Sequence, residues 1–299
     1  MTLLGWMGLA LAALVALVAL AFGLRALGAA RWAEMIRTHT AELDAGSVGG
    51  QGRLPASASP ARFDAHELDG LPRPVQRYFR QVLTDGQPII AAASLEMAGT
   101  MNMSATAEQW KPFTSRQRVV TNRPGFLWNA QVFMFPGLPA HVEDSYIAGH
   151  GRLIAKVLGL ITVADMQGEG EIARGEFMRY FAESPWYPTA LLPSQGVRWE
   201  AVDNASARAT LIDGPISLTL LFRFNDAGLI ASVRAEARGA RAGKDGVMVM
   251  LPWDCALSDY RPQGGMLIPM TGEAAWVRPE GRKVYFVGHV KTLSHEFLP

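Results

Sequence analysis

From Ser94 onward the chain alternates apolar and polar residues with a period of two. Leu95, Met97, Gly99, Met101 and Met103 share one side of an extended run, with Glu96, Thr100, Asn102 and Ser104 on the other. Phe126, Trp128, Ala130, Val132 and Met134 alternate with Asn129 and Gln131, and Ile216, Leu218, Leu220, Phe222 and Phe224 with Ser217, Thr219 and Arg223. Leu229, Ala231, Val233, Ala235 and Ala237 alternate with Ser232, Arg234, Glu236 and Arg238. Successive side chains of a strand point to opposite faces, so each run has one dry and one wet face, as in an antiparallel sheet packed on one side. The breaks are short and carry turn chemistry: Asp203-Asn204, Asp213-Gly214-Pro215, Asn225 through Gly228, Gln263-Gly264-Gly265 and Pro279-Glu280-Gly281. Short breaks make neighbouring runs pair as hairpins. The pattern predicts about ten or eleven strands, and so wide a sheet curls because strands twist. The fold class is mainly β, with some α: a curved antiparallel sheet or half-barrel with a covering helix.

Two stretches change to the helical period. Pro72 and Pro74 suit a helix start, and Val75, Tyr78, Phe79 and Val82 follow at i, i+3, i+4 and i+7. Arg73, Arg77 and Arg80 take the outer face, as a solvated surface or a contact for anionic lipid heads. Residues 169–183 predict a second helix, with Ala173, Phe177, Tyr180 and Phe181 on one face, ending before Pro185. The aromatic and proline-rich run from Trp186 to Pro193 is too apolar for a free loop and is expected to pack across one end of the sheet.

The N-terminus differs from all of this. Leu3 to Leu24 carries no charged side chain. At about 1.5 Å per residue such a helix matches a hydrocarbon core of about 30 Å. A cleaved signal peptide is the alternative, and Gly28-Ala29-Ala30 would suit a peptidase, but no basic residue precedes the run and it exceeds the usual apolar core. The expected organisation is an anchor and juxtamembrane helix over residues 1–43, with Trp32 at the interface, a Gly-, Ser- and Pro-rich linker over 44–61, and the half-barrel over 62–299. Arg25, Arg31 and Arg37 follow the span, which favours a cytoplasmic domain.

Composition narrows the function. The net charge of +1 gives no basic footprint for nucleic acid. The one cysteine, Cys255, excludes an intrachain disulfide and reads as a small buried group. The six histidines, His39, His66, His141, His150, His289 and His295, lack helical zinc-ligand spacing, so no metal and no cofactor is expected; His289 and His295 would meet only through the fold. Gly149-His150-Gly151 and Gly168-Glu169-Gly170 lack the remainder of a phosphate loop, and there is no Gly-x-Ser-x-Gly elbow. The strongest polar cluster lies on the second helix. Glu169, Glu176 and Glu183 recur along one edge, and Arg179 is within ion-pair reach of Glu176 and Glu183. This is either a structural ladder docking the helix or, if burial raises a carboxyl pKa, an acid or base at a cavity rim. The candidate ligand wall is Met97, Met101, Met103, Trp128, Phe177, Tyr180, Trp186, Phe222 and Phe224, although for any one of these residues plain core is the favoured reading.

Three stretches together resemble a bacterial family of membrane-anchored domains of unknown function: Leu71 to Arg80, Gly175 to Pro193, and Gly196-Val197-Arg198-Trp199-Glu200. The resemblance implies no activity, and no catalytic residue is carried over from it. The strand pattern also resembles in outline the LolA-like lipoprotein-carrier half-barrel; such carriers work outside the cytoplasm, against the charge rule. The expected function is binding of a hydrophobic ligand, a lipid or acyl chain, beside the bilayer. The alternatives are an enzyme on a lipid-like substrate using Glu176, or an envelope protein-interaction module.

Overall fold

The computed structural model describes residues 3–49, 60–104, 107–135, 137–242 and 247–299. Thirteen strands form one antiparallel sheet. They are β1 (Ile90–Asn102), β2 (Trp110–Val120), β3 (Gly125–Phe135), β4 (Leu138–Ile147), β5 (His150–Val157), β6 (Ile161–Gly168), β7 (Arg198–Asp203), β8 (Ser206–Asp213), β9 (Ile216–Phe224), β10 (Ile230–Ala242), β11 (Val247–Gln263), β12 (Met266–Arg278) and β13 (Gly281–Phe297). Their spatial order is β6-β5-β4-β3-β2-β1-β13-β12-β11-β10-β9-β8-β7. The sheet is a chain of hairpins except at its centre, where β1 pairs with β13 from Ile90↔Phe297 to Met101↔Phe286.

The sheet curls about helix α3 (Glu171–Ala182), which links its two edge strands, β6 and β7. The helix touches β4, β5 and β6 on one side and β9 and β10 on the other. Phe177 stacks on Tyr146 with ring centroids 5.0 Å apart, and Phe181 meets Phe222 edge-on at 5.5 Å. Tyr146 Oη donates to Asp213 Oδ2 at 2.7 Å, tying β4 to β8 across the opening. This is the expected half-barrel with a helix across its concave face.

One end is plugged. Helix α2 (Arg73–Val82) seats Tyr78 and Phe79 against Phe224 and Trp199, leaving Arg73, Arg77 and Arg80 exposed. The loop after α3 packs across this region as its composition predicts: Tyr187, Leu191 and Leu192 are fully buried, and Trp186 Nε1 donates to Pro269 O at 2.8 Å.

The N-terminal helix departs from expectation. Helix α1 runs unbroken from Leu3 to Gly49, so residues 44–49, expected to open the linker, are helical, while 50–59 lie outside the described residues. Its second half lies on the outer face of β2, β3 and β4. Leu43, Ala92, Val120, Leu127 and Ile147 form a second small core there, with Ile36 against it. Trp32 Nε1 donates to Asn129 Oδ1 at 3.0 Å, His39 Nδ1 lies 2.8 Å from the fully buried Glu143 carboxylate, and Arg152 reaches Glu42 at 3.0 Å. Helix propensity alone disfavours Asp44-Ala45-Gly46-Ser47, but packing of Leu43 and the pairing of Asp44 with Arg118 at 3.4 Å override it.

A helix docked this way belongs structurally to the sheet. Burying side chains such as Trp32 and Leu43 is worth about 1.5–3 kcal/mol each. Removing residues 1–23 is therefore expected to leave thermal unfolding intact, whereas removing 1–49 lowers the midpoint and exposes a dye-binding apolar surface. Equal midpoints for the two truncations in a calorimeter would show that the outer core contributes nothing.

Candidate binding cavity in the half-barrel

The strands and α3 leave a cavity of about 70 Å³ inside the curl. Its apolar wall includes Met101, Trp128, Trp186, Trp253, Tyr285 and Phe286, and its polar wall is Asp144, Arg179, Glu183, Arg238 and Glu273. It has room for a few waters or one end group of a ligand, not for a whole acyl chain. α3 and the loop after it fill the remainder of the concave face, so most of the candidate ligand wall is packed core.

Two arginines divide the polar wall. Arg179 donates from Nε to Glu183 Oε1 at 2.8 Å and from Nη1 to Asp144 Oδ2 at 2.7 Å, with its guanidinium 4.8 Å from the Trp128 ring centroid. Gln117 Nε2 donates to Glu183 Oε2 at 2.7 Å. This arginine is fully compensated. Arg238 is not. Its guanidinium lies 4.4 Å from the Trp253 ring centroid and 5.9 Å from that of Trp276, and its single ion pair among the described residues is Nη2 to Glu176 Oε1 at 3.7 Å, beyond hydrogen-bond length.

Burial, with Asp144 nearby, pushes the Glu176 pKa up to about 8, which favours the protonated form at neutral pH. Among the described residues its Oε2 has no hydrogen-bond partner, nor has Asp144 Oδ1 or Trp128 Nε1. The last two belong to residues that line the cavity. Burial also raises the Asp144 carboxyl and the Cys255 thiol; Cys255 lines the cavity as a protonated apolar group, not as a nucleophile.

The residues singled out from the sequence fall in several places. Met101, Trp128 and Trp186 line the cavity, as do Arg179 and Glu183. Met97, Phe177, Tyr180, Phe222 and Phe224 are buried in the main core instead, packed around α3, α2 and the β1–β13 junction. Met103 lies beyond β1 and is 43% exposed. The expected Glu176–Arg179 pair does not form: stacking on Trp128 and pairing with Asp144 draw Arg179 toward β3 and β4, and Glu176 meets Arg238. Glu176 does not line the cavity, so it is not placed as an acid or base there, and Glu169 precedes α3 at an exposed turn. His289 donates to or accepts from Thr271 at an exposed site while His295 Nε2 lies 2.9 Å from Trp186 O; among the described residues no three His, Cys, Asp or Glu side chains converge for a metal.

Asp144, Arg238, Trp253 and Tyr285 are the site residues that sequence reading missed. Asp144 sits between Val142 and Tyr146 on an otherwise apolar inner face, a readable sign of a buried charge. Arg238 was hidden by a bulge: the register slips between Ala235 and Arg238, turning a residue of the polar series inward.

A family model of unknown function, DUF6920, matches residues 69–295, from α2 to the last turn of β13. The chain belongs to the DUF6920 family. The matched segment of this DUF6920 protein contains the cavity and all of the sheet but the last two residues of β13, and excludes α1. Among solved structures, a LolA superfamily protein from Nitrosomonas europaea is similar at 11% identity and a TM-score of 0.30, over 70% of this chain and 87% of that one. A β-barrel-like protein of the DUF1849 family from Brucella abortus is similar at 12% identity and a TM-score of 0.22, over 70% and 99% of the two chains. No curated protein matches the sequence. The half-barrel description of the DUF6920 chain therefore rests on its own strand pairing.

Proposed function

We propose that this protein is a membrane-anchored binder of an amphiphile with an anionic end group, such as a fatty acid, whose charged end seats in the half-barrel cavity. Among the described residues, one helix, within Trp6–Gly46, is long and apolar enough to cross a membrane; in this reading it does so and holds the cavity beside lipid.

The observation that carries the reading is Arg238. It is a cation at a cavity wall, 9% exposed and stacked on Trp253; its one ion-pair contact among the described residues is a long one of 3.7 Å to Glu176, whose pKa burial raises, and Asp144 acts on it only at longer range. A buried charge without a compensating partner is costly, and an incoming anion removes that cost. The unused Trp128 Nε1–H supplies a donor in the same chamber, and the aromatic wall suits the first methylenes of a tail. Because the cavity is small, the tail is expected to run outward and the bound state to widen the wall.

The test uses the detergent-extracted full chain and a dansyl-labelled fatty acid. Saturable binding is expected, displaced by unlabelled fatty acid but not by the corresponding alcohol. Arg238→Met is expected to weaken binding at least about tenfold, the worth of about 1.4 kcal/mol from a charged contact, with Arg208→Met, at an exposed position, unchanged. Arg238→Met takes a cation away from Glu176 and Asp144, so its circular dichroism and unfolding midpoint are measured beside the parent's to separate a lost contact from a lost fold. Absence of saturable binding, or equal affinity in Arg238→Met, would sink the proposal.

A further inference from the structure

The hairpin tips β1–β2, β3–β4 and β5–β6 lie at the same end of the sheet, because consecutive strands alternate in direction. Helix α1 leaves the domain at that end. Residues 6–27 are exposed along their whole length and burial starts at Gly28. There the backbones touch: a Cβ added to Gly28 would lie 1.9 Å from Leu158 O in the β5–β6 turn, and one on Gly159 would lie 2.4 Å from Gly28 O. Three residues earlier, Arg25 Nη1 donates to Gly137 O in the β3–β4 turn at 3.0 Å. With the contacts of Trp32, His39 and Glu42 farther along, the helix is a rigid strut whose apolar half projects beyond the tips.

The spacing fixes how near the tips come to lipid. Leu24, the last residue of the uncharged run, lies about 6 Å along the helix axis from Gly28. One headgroup layer is about 5–8 Å thick, the difference between the full bilayer and its hydrocarbon core shared over two leaflets. A helix that spans up to Leu24 therefore places the β3–β4 and β5–β6 turns at headgroup height. The side chains there match that place. Met103, Trp110, Phe135, Leu138, Ile161 and Val163 are all exposed, Phe135 and Ile161 each at 64%. Lys111 holds its ammonium 5.3 Å over the Phe135 ring, a cation at the level of lipid phosphates. The turns at the opposite ends of the same strands, residues 121–124 and 148–149, expose no large apolar side chain. Scattered exposed apolar residues are ordinary, but a ring of them around the exit of an apolar helix is not.

We propose that the three hairpin tips insert into the headgroup layer of the bilayer spanned by α1, so that the half-barrel stands on the membrane at a fixed height. This rests on the reading that α1 spans a membrane; it is independent of whether the cavity binds an anion.

The experiment places nitroxide labels on Phe135→Cys and Ile161→Cys in the full chain, with His150→Cys at the far end as reference, in nanodiscs of phosphatidylcholine and phosphatidylglycerol. All three sites are exposed, so the fold tolerates them, and the native Cys255 is buried and protonated. Labels at the tips are expected to collide with oxygen at least about threefold more, relative to a water-soluble nickel chelate, than the label at 150, as at lipid interfaces. Tip labels matching the label at 150 would overturn the insertion while leaving the span intact. Dipolar broadening between labels without an oxygen preference would make the tips a contact between two copies, and also overturn it. A full chain that fails to enter nanodiscs would remove both the span and the inference.

Discussion

Replacing Arg179 with methionine is expected to destabilise the folded protein by about 3–5 kcal/mol, the cost of leaving buried charges without their partner. Asp144 and Glu183 both pair with this one guanidinium, and Gln117, which also donates to Glu183, faces it from β2. Without Arg179, two carboxylates repel each other in an apolar chamber. The loss is read as a shift of the urea midpoint at constant slope, and it is expected to shrink at pH 5, where the orphaned acids take up protons. Arg179→Met together with Asp144→Asn and Glu183→Gln is expected to recover much of the loss, since a neutral set of similar shape leaves no uncompensated charge. A single variant as stable as the parent would mean that this cluster is hydrated and plays no part in seating α3.

Glu176 has the opposite relation to charge. In an unfolded chain its carboxyl titrates near 4.5, and buried between α3 and β10 near 8. The folded state thus keeps a proton that the unfolded state releases. The resulting stability is complete below pH about 4.5 and is lost progressively as the pH rises to about 8, by linkage between proton binding and folding. The Asp144 pKa is also raised by burial, so its contribution has the same sign. Glu176→Gln is expected to match the parent near pH 5, to exceed it at pH 8.5, and to flatten the slope between. Unfolding free energies measured across that range check the prediction; a parent whose stability rises from pH 5 to 8 while Glu176→Gln does not change it would refute the buried-proton assignment.

Much of the fold was legible because many strands bury one face and wet the other. β1, β3 and β9 show this in their residues, and their inner members Leu95, Met97, Trp128 and Phe222 are buried as the alternation requires. β2 was harder, since Ser115 and Gln117 stand on its inner face between Phe113 and Val119, recruited to the Arg179 cluster and the barrel wall. The edge strand β6 is mostly exposed and mixed, so its residues carry no clear alternation and it is one of the strands the pattern does not announce. The outer face misled for another reason: Leu127 and Ile147 break the alternation because α1 covers them, and nothing local to β3 or β4 announces that cover. The site was less legible still. Asp144, Arg238 and Tyr285 are far apart in the chain, and only the curl of the sheet and one bulge bring them together.

The pairing of β1 with β13 sets the timetable of biosynthesis. The central strand of the sheet, β13, is the last to be made, and one of its two neighbours, β1, is the first. At about 5–20 residues per second, β1 waits on the order of ten seconds or more for β13 to leave the ribosome. Throughout this interval one of its edges shows unpaired backbone groups, the surface on which extended chains aggregate. Non-local closure of this kind is slow in any case. The helix that emerges ahead of the sheet can by then cover the outer face of β2, β3 and β4, so the nascent half-sheet waits with one face already packed.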